Sequence, residues 1–170
     1  MPFPAFVNRA KRQSVLLISS LIISVISVAQ INLTHRLLRG YFLSNDAPTS
    51  KGKPTLIVCE TSDEFNGIFK PATTSARRPD AINFAKETAI GIALSPTNTP
   101  PKLSVSKVFV QDSVLTIRYI RLADTTLTNN PQSFKTQPLL LLAIPKQTVL
   151  KTKLVENGKV VLTLKKSDDD

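Results

Sequence analysis

One histidine, one cysteine, no tryptophan and five glycines leave this 170-residue chain with few of the side chains that most catalytic and metal chemistry requires. His35 and Cys59 are far apart in sequence, and two such residues cannot make a Cys/His zinc site. A single thiol excludes an internal disulfide and leaves no Cys-His nucleophile pair with a recognisable pattern. The glycines at 40, 52, 67, 91 and 158 lack the spacing of a phosphate-cradling loop, and no Gly-x-Ser-x-Gly occurs. Acids are also sparse, 12 against 22 basic residues. Glu60, Asp63 and Glu64 cluster where a helix start explains them, and Asp80 and Glu87 form the only other near pair. No catalytic, cofactor-binding or metal-binding residue is therefore assigned, and no cofactor is expected.

The formal charge of +10 raises a nucleic-acid reading, and its location weakens that reading. Residues 1–29 carry +3 and residues 30–53 another +3, leaving +4 for residues 54–170 from fifteen basic and eleven acidic groups. Proteins that read RNA or single strands interleave aromatics with basic residues on a sheet face. Here Phe109, Tyr119 and Phe134 stand apart, and no nucleic-acid partner is expected.

The positive signals begin at the N-terminus. Arg9, Lys11 and Arg12 precede SVLLISSLIISVISVA (Ser14–Ala29), a run without a charge. A basic flank before an apolar core is a secretory signal or the start of a membrane anchor. Ser27, Val28 and Ala29 suit signal-peptidase cleavage before Gln30. Alternatively the run extends through Leu33, giving a transmembrane helix over 14–33 of about 20 residues. Both readings keep residues 1–13 cytoplasmic and export the chain beyond Leu33. The protein is thus expected in the inner membrane with a periplasmic or extracellular C-terminal domain, or secreted after cleavage at Ala29. Residues 34–54 read as juxtamembrane segment and linker, with a helix over Ile31–Leu43 placing Leu33, Leu37, Leu38 and Phe42 on one face.

Residues 55–166 read as an exported β-domain and 167–170 as an acidic tail. Thr55–Glu60 is a β-branched run that puts Cys59 in a strand as a small buried hydrophobe. Ser62 is a candidate N-cap for a short helix with Phe65, Ile68 and Phe69 on one face. Ala72–Pro79, with Arg77 and Arg78, reads as a loop. Glu87–Ser95 reads as a buried strand, with Gly91 marking a bulge or a close backbone approach. Leu103–Gln111 and Val114–Leu122 form a pair. Ala123–Thr136 is a long polar loop, and Leu139–Ile144 is a central strand between prolines. Asn157-Gly158 closes a terminal hairpin over Thr148–Lys165. There Leu150, Leu154, Val160, Leu162 and Leu164 are expected to face the core, with Lys151, Lys153, Lys159 and Lys165 in water. The expected fold is mainly β (α+β): an antiparallel β-sandwich or curled barrel with one short helix, preceded by an N-terminal hydrophobic helix.

The order of segments adds a resemblance. SDEFNGIFK (Ser62–Lys70), PDAINFAKETAIGIAL (Pro79–Leu94), LSVSKVFVQDSVLTIRY (Leu103–Tyr119) and QPLLLLAIPK (Gln137–Lys146) together resemble the PrcB-like family of bacterial protease-complex subunits. The likeness spans roughly residues 56–147. Where that family tends to carry a Gly-Gly-aromatic step before the hairpin, Thr97-Asn-Thr-Pro-Pro101 stands here. The resemblance implies a secreted or envelope-anchored, non-catalytic β-domain that binds or stabilises a protein partner such as a protease, and the expected partner is a protease or an envelope complex. Pro96–Pro101 and Ala123–Thr136 are the candidate contact loops, being the longest polar interruptions between buried strands. The competing expectations are a structural component of an envelope or secretion assembly and an unrecognised hydrolase.

Overall fold

The computed structural model describes residues 29–72 and 78–165. The apolar run up to Val28, Arg77 and the acidic tail lie outside the described residues, as do the expectations attached to them.

The described chain is mainly β, with several sheets and two short helices. In order these are β1 (Ile31–Asn32), β2 (Arg36–Leu37), β3 (Tyr41–Leu43), β4 (Thr55–Cys59), α1 (Ser62–Ile68), β5 (Phe69–Pro71), β6 (Glu87–Ala93) and β7 (Lys102–Gln111). β8 (Val114–Leu122), α2 (Thr125–Asn129), β9 (Leu139–Pro145), β10 (Lys151–Glu156) and β11 (Lys159–Lys165) complete the order. A five-stranded sheet has the order β1-β7-β8-β10-β11, and a four-stranded sheet the order β2-β9-β6-β4. β3 and β5 make a separate antiparallel pair.

Two apolar layers explain the sequence of the smaller sheet. Between the sheets, Ile90, Ile92, Leu140, Leu142 and Ile144 pack with Val108, Leu115, Ile117, Tyr119 and Leu154. On its other face, Ala89, Ala93, Leu141 and Ala143 pack with Leu38, Leu43, Ile57, Cys59, Phe65 and Phe69. A strand buried on both faces reads as a continuous apolar run, which is why ETAIGIA and LLLLAI show no polar alternation. The second layer is aromatic. Phe65 stacks edge-on against Tyr41 with centroids 5.0 Å apart and lies 5.0 Å from Phe69 and 5.6 Å from Phe84. Gly91 allows the close backbone approach, since a Cβ there would stand 2.5 Å from Phe69 Cζ.

The structure corrects several expectations. Residues Ile31–Leu43 form three short strands rather than a helix. β1 pairs with β7 through Ile31↔Val110, and β2 pairs with β9 through Arg36↔Ala143. Pairing partners on two sheets outweigh the local helical spacing. Among the described residues the first strand therefore begins at Ile31, ahead of residue 55, and a helical span cannot run on to Leu33. Gly40, at φ +82°, supports the turn into β3.

Thr61, not Ser62, caps α1. Its hydroxyl accepts the Glu64 N–H at 3.3 Å while the Glu64 carboxylate accepts the Thr61 N–H at 3.2 Å, a reciprocal capping box. The loop at Ala123–Thr136 contains α2, a second helix. Pairing is not wholly antiparallel either: β10 lies parallel to β8, with Leu154 opposite Ile117. The chain leaves the larger sheet after β8, passes through β9 in the smaller sheet and returns, so β10 re-enters in the direction of β8.

The Asn157-Gly158 turn forms as expected, with both residues at positive φ. The Asp112-Ser113 turn uses the same conformation without glycine. In the terminal hairpin the register shifts between Leu154 and Val155, which buries both. Val160 is exposed rather than in the core, as is Leu150, which precedes β10, and Leu164 sits at the margin.

Gly91→Ala tests the layer between α1 and the smaller sheet. The added methyl overpacks against Phe69, and urea unfolding should show a loss of ~1–3 kcal/mol. Phe69→Leu in the same chain should recover part of that loss, because the two side chains share one space.

Candidate protein-binding surface

The strands order the loops at one end of the fold. β6 ends at Ala93, β7 begins at Lys102, β8 ends at Leu122, β9 begins at Leu139, and the β10–β11 turn lies opposite the end of β8. The two candidate loops therefore emerge side by side, and backbone bonds join them. Thr97 N–H donates to Thr136 O at 2.9 Å, and Thr136 N–H donates to Thr97 O at 2.8 Å. Gln132 N–H donates to Asn98 O at 2.9 Å. Thr99 N–H donates to Thr97 Oγ1 at 3.1 Å, tightening the first loop on itself. Two segments separated in sequence thus form one surface. Phe134 stands on it with 66% of its area exposed, next to exposed Lys135.

Side-chain contacts fix the base of this surface. Asp124 caps α2 by accepting Thr126 N–H at 3.1 Å, and Lys102 Nζ lies 3.2 Å from its other oxygen. The Thr126 hydroxyl, then Lys102, hold the Asp124 carboxyl below its ordinary range. Asn157 clamps the end of β8, accepting Arg121 N–H at 3.0 Å and donating to Arg121 O at 3.0 Å. Arg121 reaches Glu156 at 3.6 Å, and the buried Tyr119 hydroxyl donates to Glu156. Burial, then this bond to a carboxylate, pushes the Tyr119 phenol well above its ordinary range. Beside the joined loops lie two shallow depressions. One, of about 190 Å³, is lined by Lys53, Pro96, Thr97, Pro101, Arg121 and Pro138. The other, of about 410 Å³, is lined by Thr97, Thr99, Ala123, Asp124, Thr128 and Asn157 among others. The surface offers backbone groups, hydroxyls and an exposed ring.

The remaining polar residues singled out in the sequence lie in separate places on the fold. Glu64 is committed to the cap of α1. Arg36 binds Glu87 through two nitrogens, at 3.0 and 2.8 Å, and also donates to Ala81 O at 2.7 Å. Asp80 instead accepts the Arg39 N–H at 2.8 Å. His35 is exposed at a depression of about 500 Å³ beside Arg36, Lys86 and Glu87, far in sequence from the candidate loops. Cys59 is fully buried, and burial followed by the charge of Glu64 pushes its thiol up to about 12. Phe109 lies under Lys107 and Arg118, each 5.4 Å from its ring centroid, so the basic stems cover it. Among the described residues no group of three or more His, Cys, Asp or Glu is placed to hold a metal.

The sequence carried no signal for a further cavity. About 330 Å³ lies where the two sheets open, lined by Val58, Leu115, Ile144, Val149 and Leu164 with Glu60, Lys151 and Lys165. No protein-family model, curated protein or solved structure matches this chain.

Two measurements test these geometries. Pairing with Arg36, helped by the Asn83 N–H, lowers the Glu87 carboxyl below its ordinary 4.5. The stability it contributes is present above pH 4.5 and is lost as the pH falls through the lowered value. Acid unfolding should therefore show wild type and Glu87→Gln converging as the pH drops, from a gap below ~1 kcal/mol at neutral pH. A disulfide reagent at pH 8, against a thiol at about 12, should leave the native chain unlabelled and modify Cys59 once urea unfolds it. Rapid labelling of the native chain would show that the strand β4 opens readily.

Proposed function

We propose that this chain is an exported, membrane-tethered, non-catalytic binding or accessory subunit whose partner is a protein, a protease or an envelope complex. Its folded part is a β-sandwich extended by the layer of α1, β3 and β5, and its contact surface is the pair of loops 96–101 and 123–136. The observation that carries this reading is the joining of those loops by Thr97, Asn98, Gln132 and Thr136 into one surface bearing the exposed Phe134. Position supports it. β1 enters beside Val110, at the far end of β7 from Lys102, so the apolar run Ser14–Ala29 attaches at the end remote from the loops. Ten residues of β7 separate the two ends by roughly 30 Å. A tether there presents the loops away from the bilayer. Lys51, Lys53, Lys135 and Lys159 add positive charge around the loops and favour an acidic partner face. The PrcB-like resemblance implies the same class of function.

The test is purification of the full chain in mild detergent after cross-linking in cells. One stoichiometric protease partner is expected, and a multi-component assembly would favour the structural alternative. Replacing both loops with glycine-serine segments should abolish capture, and Phe134→Ala should weaken it by about 2 kcal/mol or more, as for an aromatic hot spot. Unchanged capture overturns the surface. Labelling of the chain by a serine-reactive probe would move the reading to a hydrolase.

A further inference from the structure

We propose that the cavity at the open side of the sandwich is a binding site for a small uncharged ligand, apolar in body and carrying a hydroxyl or carbonyl group. The inference rests on neither the tether nor the candidate loops. The space, about 330 Å³, lies between the outer strands β4 and β11. Among the described residues neither strand has a further strand on that side. On the opposite side the N-terminal segment passes from one sheet to the other and closes the fold. The open side therefore gives solvent a way in between the sheets. Its volume falls at the small end of the range for ligand sites, roughly 300–1,000 Å³.

Two buried threonines distinguish this space from a gap in packing. Thr88 of β6 is 7% exposed and Thr152 of β10 is 8% exposed, and both line it. Strand alternation puts Thr88 on the inner face with Ile90 and Ile92, and Thr152 on the inner face with Leu154. Their register partners agree. Thr88 stands opposite Ile144, and Thr152 opposite Leu115 and Leu164, all of which line the cavity. Each sheet thus turns one hydroxyl into the same space. Among the described residues neither hydroxyl has a hydrogen-bond partner, whereas every fully enclosed side-chain polar atom has one, so both hydroxyls face the opening. A buried hydroxyl without a partner costs stability, and a ligand oxygen removes that cost. A carbonyl accepts from such hydroxyls, and a ligand hydroxyl donates or accepts.

The rest of the lining sets the class of ligand. Val58, Leu115, Ile144 and Val149 form an apolar wall. The charged side chains at the cavity are Lys151, Lys165 and Glu64, all exposed, and the half-buried Glu60. Two lysines meet two acids, and Asp168–Asp170 follow Lys165 in sequence, so no positive excess draws an anion. An ionised group would lose its hydration beside the threonines without a paired charge, a far larger cost than an uncharged oxygen incurs.

The test follows side-chain methyl resonances of the full chain in detergent, titrated with 2-naphthol, naphthalene or 2-naphthoate. Partitioning into the micelle lowers each free ligand alike for every variant. 2-Naphthol should shift the methyls of Leu115 and Ile144 saturably and leave those of Ile57 and Leu141, in the outer layer, in place. It should bind more tightly than 2-naphthoate. Thr88→Val and Thr152→Val should each weaken 2-naphthol about fivefold, the worth of one hydrogen bond, and leave naphthalene unchanged. Both variants should unfold in urea no earlier than wild type, because each removes an unpartnered hydroxyl. No shift at Leu115 and Ile144, or equal affinity for 2-naphthol in wild type and both variants, overturns the site. Tighter binding of 2-naphthoate overturns the class of ligand, and loss of the fold in both variants shows that the hydroxyls serve the structure instead.

Discussion

The burial of the smaller sheet on both faces is the constraint on which the rest of the architecture depends. β6 and β9 place large side chains, Ile90, Ile92, Leu140, Leu142 and Ile144, toward the larger sheet. Toward α1 they present mostly small ones, Ala89, Gly91, Ala93 and Ala143. That asymmetry leaves room on the outer side for the rings of Phe65 and Phe69, with Phe69 seated directly over Gly91. The aromatic layer in turn needs a floor and an edge. Both come from the N-terminal segment, which supplies Leu38, Tyr41 and Leu43. A chain lacking residues 31–43 would expose the outer face of a sheet that has no polar alternation to tolerate water.

The same segment binds the two sheets to each other. Leu33 N–H donates to Val108 O in the larger sheet, and Leu38 N–H to Leu141 O in the smaller, both at 2.9 Å. One side of the fold is thereby closed, while the other, between β4 and β11, stays open around the 330 Å³ cavity. At the loop end a different device operates. Tyr119, Glu156, Arg121 and Asn157 tie the tip of the terminal hairpin to the end of β8. The joined loops therefore stand on a base held by side-chain bonds.

Much of this was legible in the sequence, and the failures have physical causes. LLLLAI between prolines, the β-branched run holding Cys59 and the Asn157-Gly158 turn each carry a local signal that matches their final state. Gly91 left a bulge or a close approach open, and nothing local identified Phe69 as the group approaching. Ile31–Leu43 misleads because its leucines satisfy a helical spacing by chance, while their destinations lie on strands seventy or more residues away for β1 and a hundred or more for β2. The parallel β8–β10 pairing is likewise a property of topology, invisible to any window along the chain. The loops at 96–101 and 123–136 were recognisable as polar interruptions. Their union was not, since it rests on backbone bonds that carry no residue signature.

The early start of the fold also sharpens the membrane reading. With Ile31 paired into the larger sheet and Ala29 and Gln30 outside any helix, at most residues 14–28 are left for a span, roughly 22 Å at the rise of an α-helix. That is short against a hydrocarbon core of about 30 Å. A span of this length is accommodated by thinning the bilayer or by letting flanking side chains reach the interface. Cleavage after Ala29 would instead release a chain beginning at Gln30 with every described strand intact. The described fold is compatible with either outcome, since its first strand begins at Ile31.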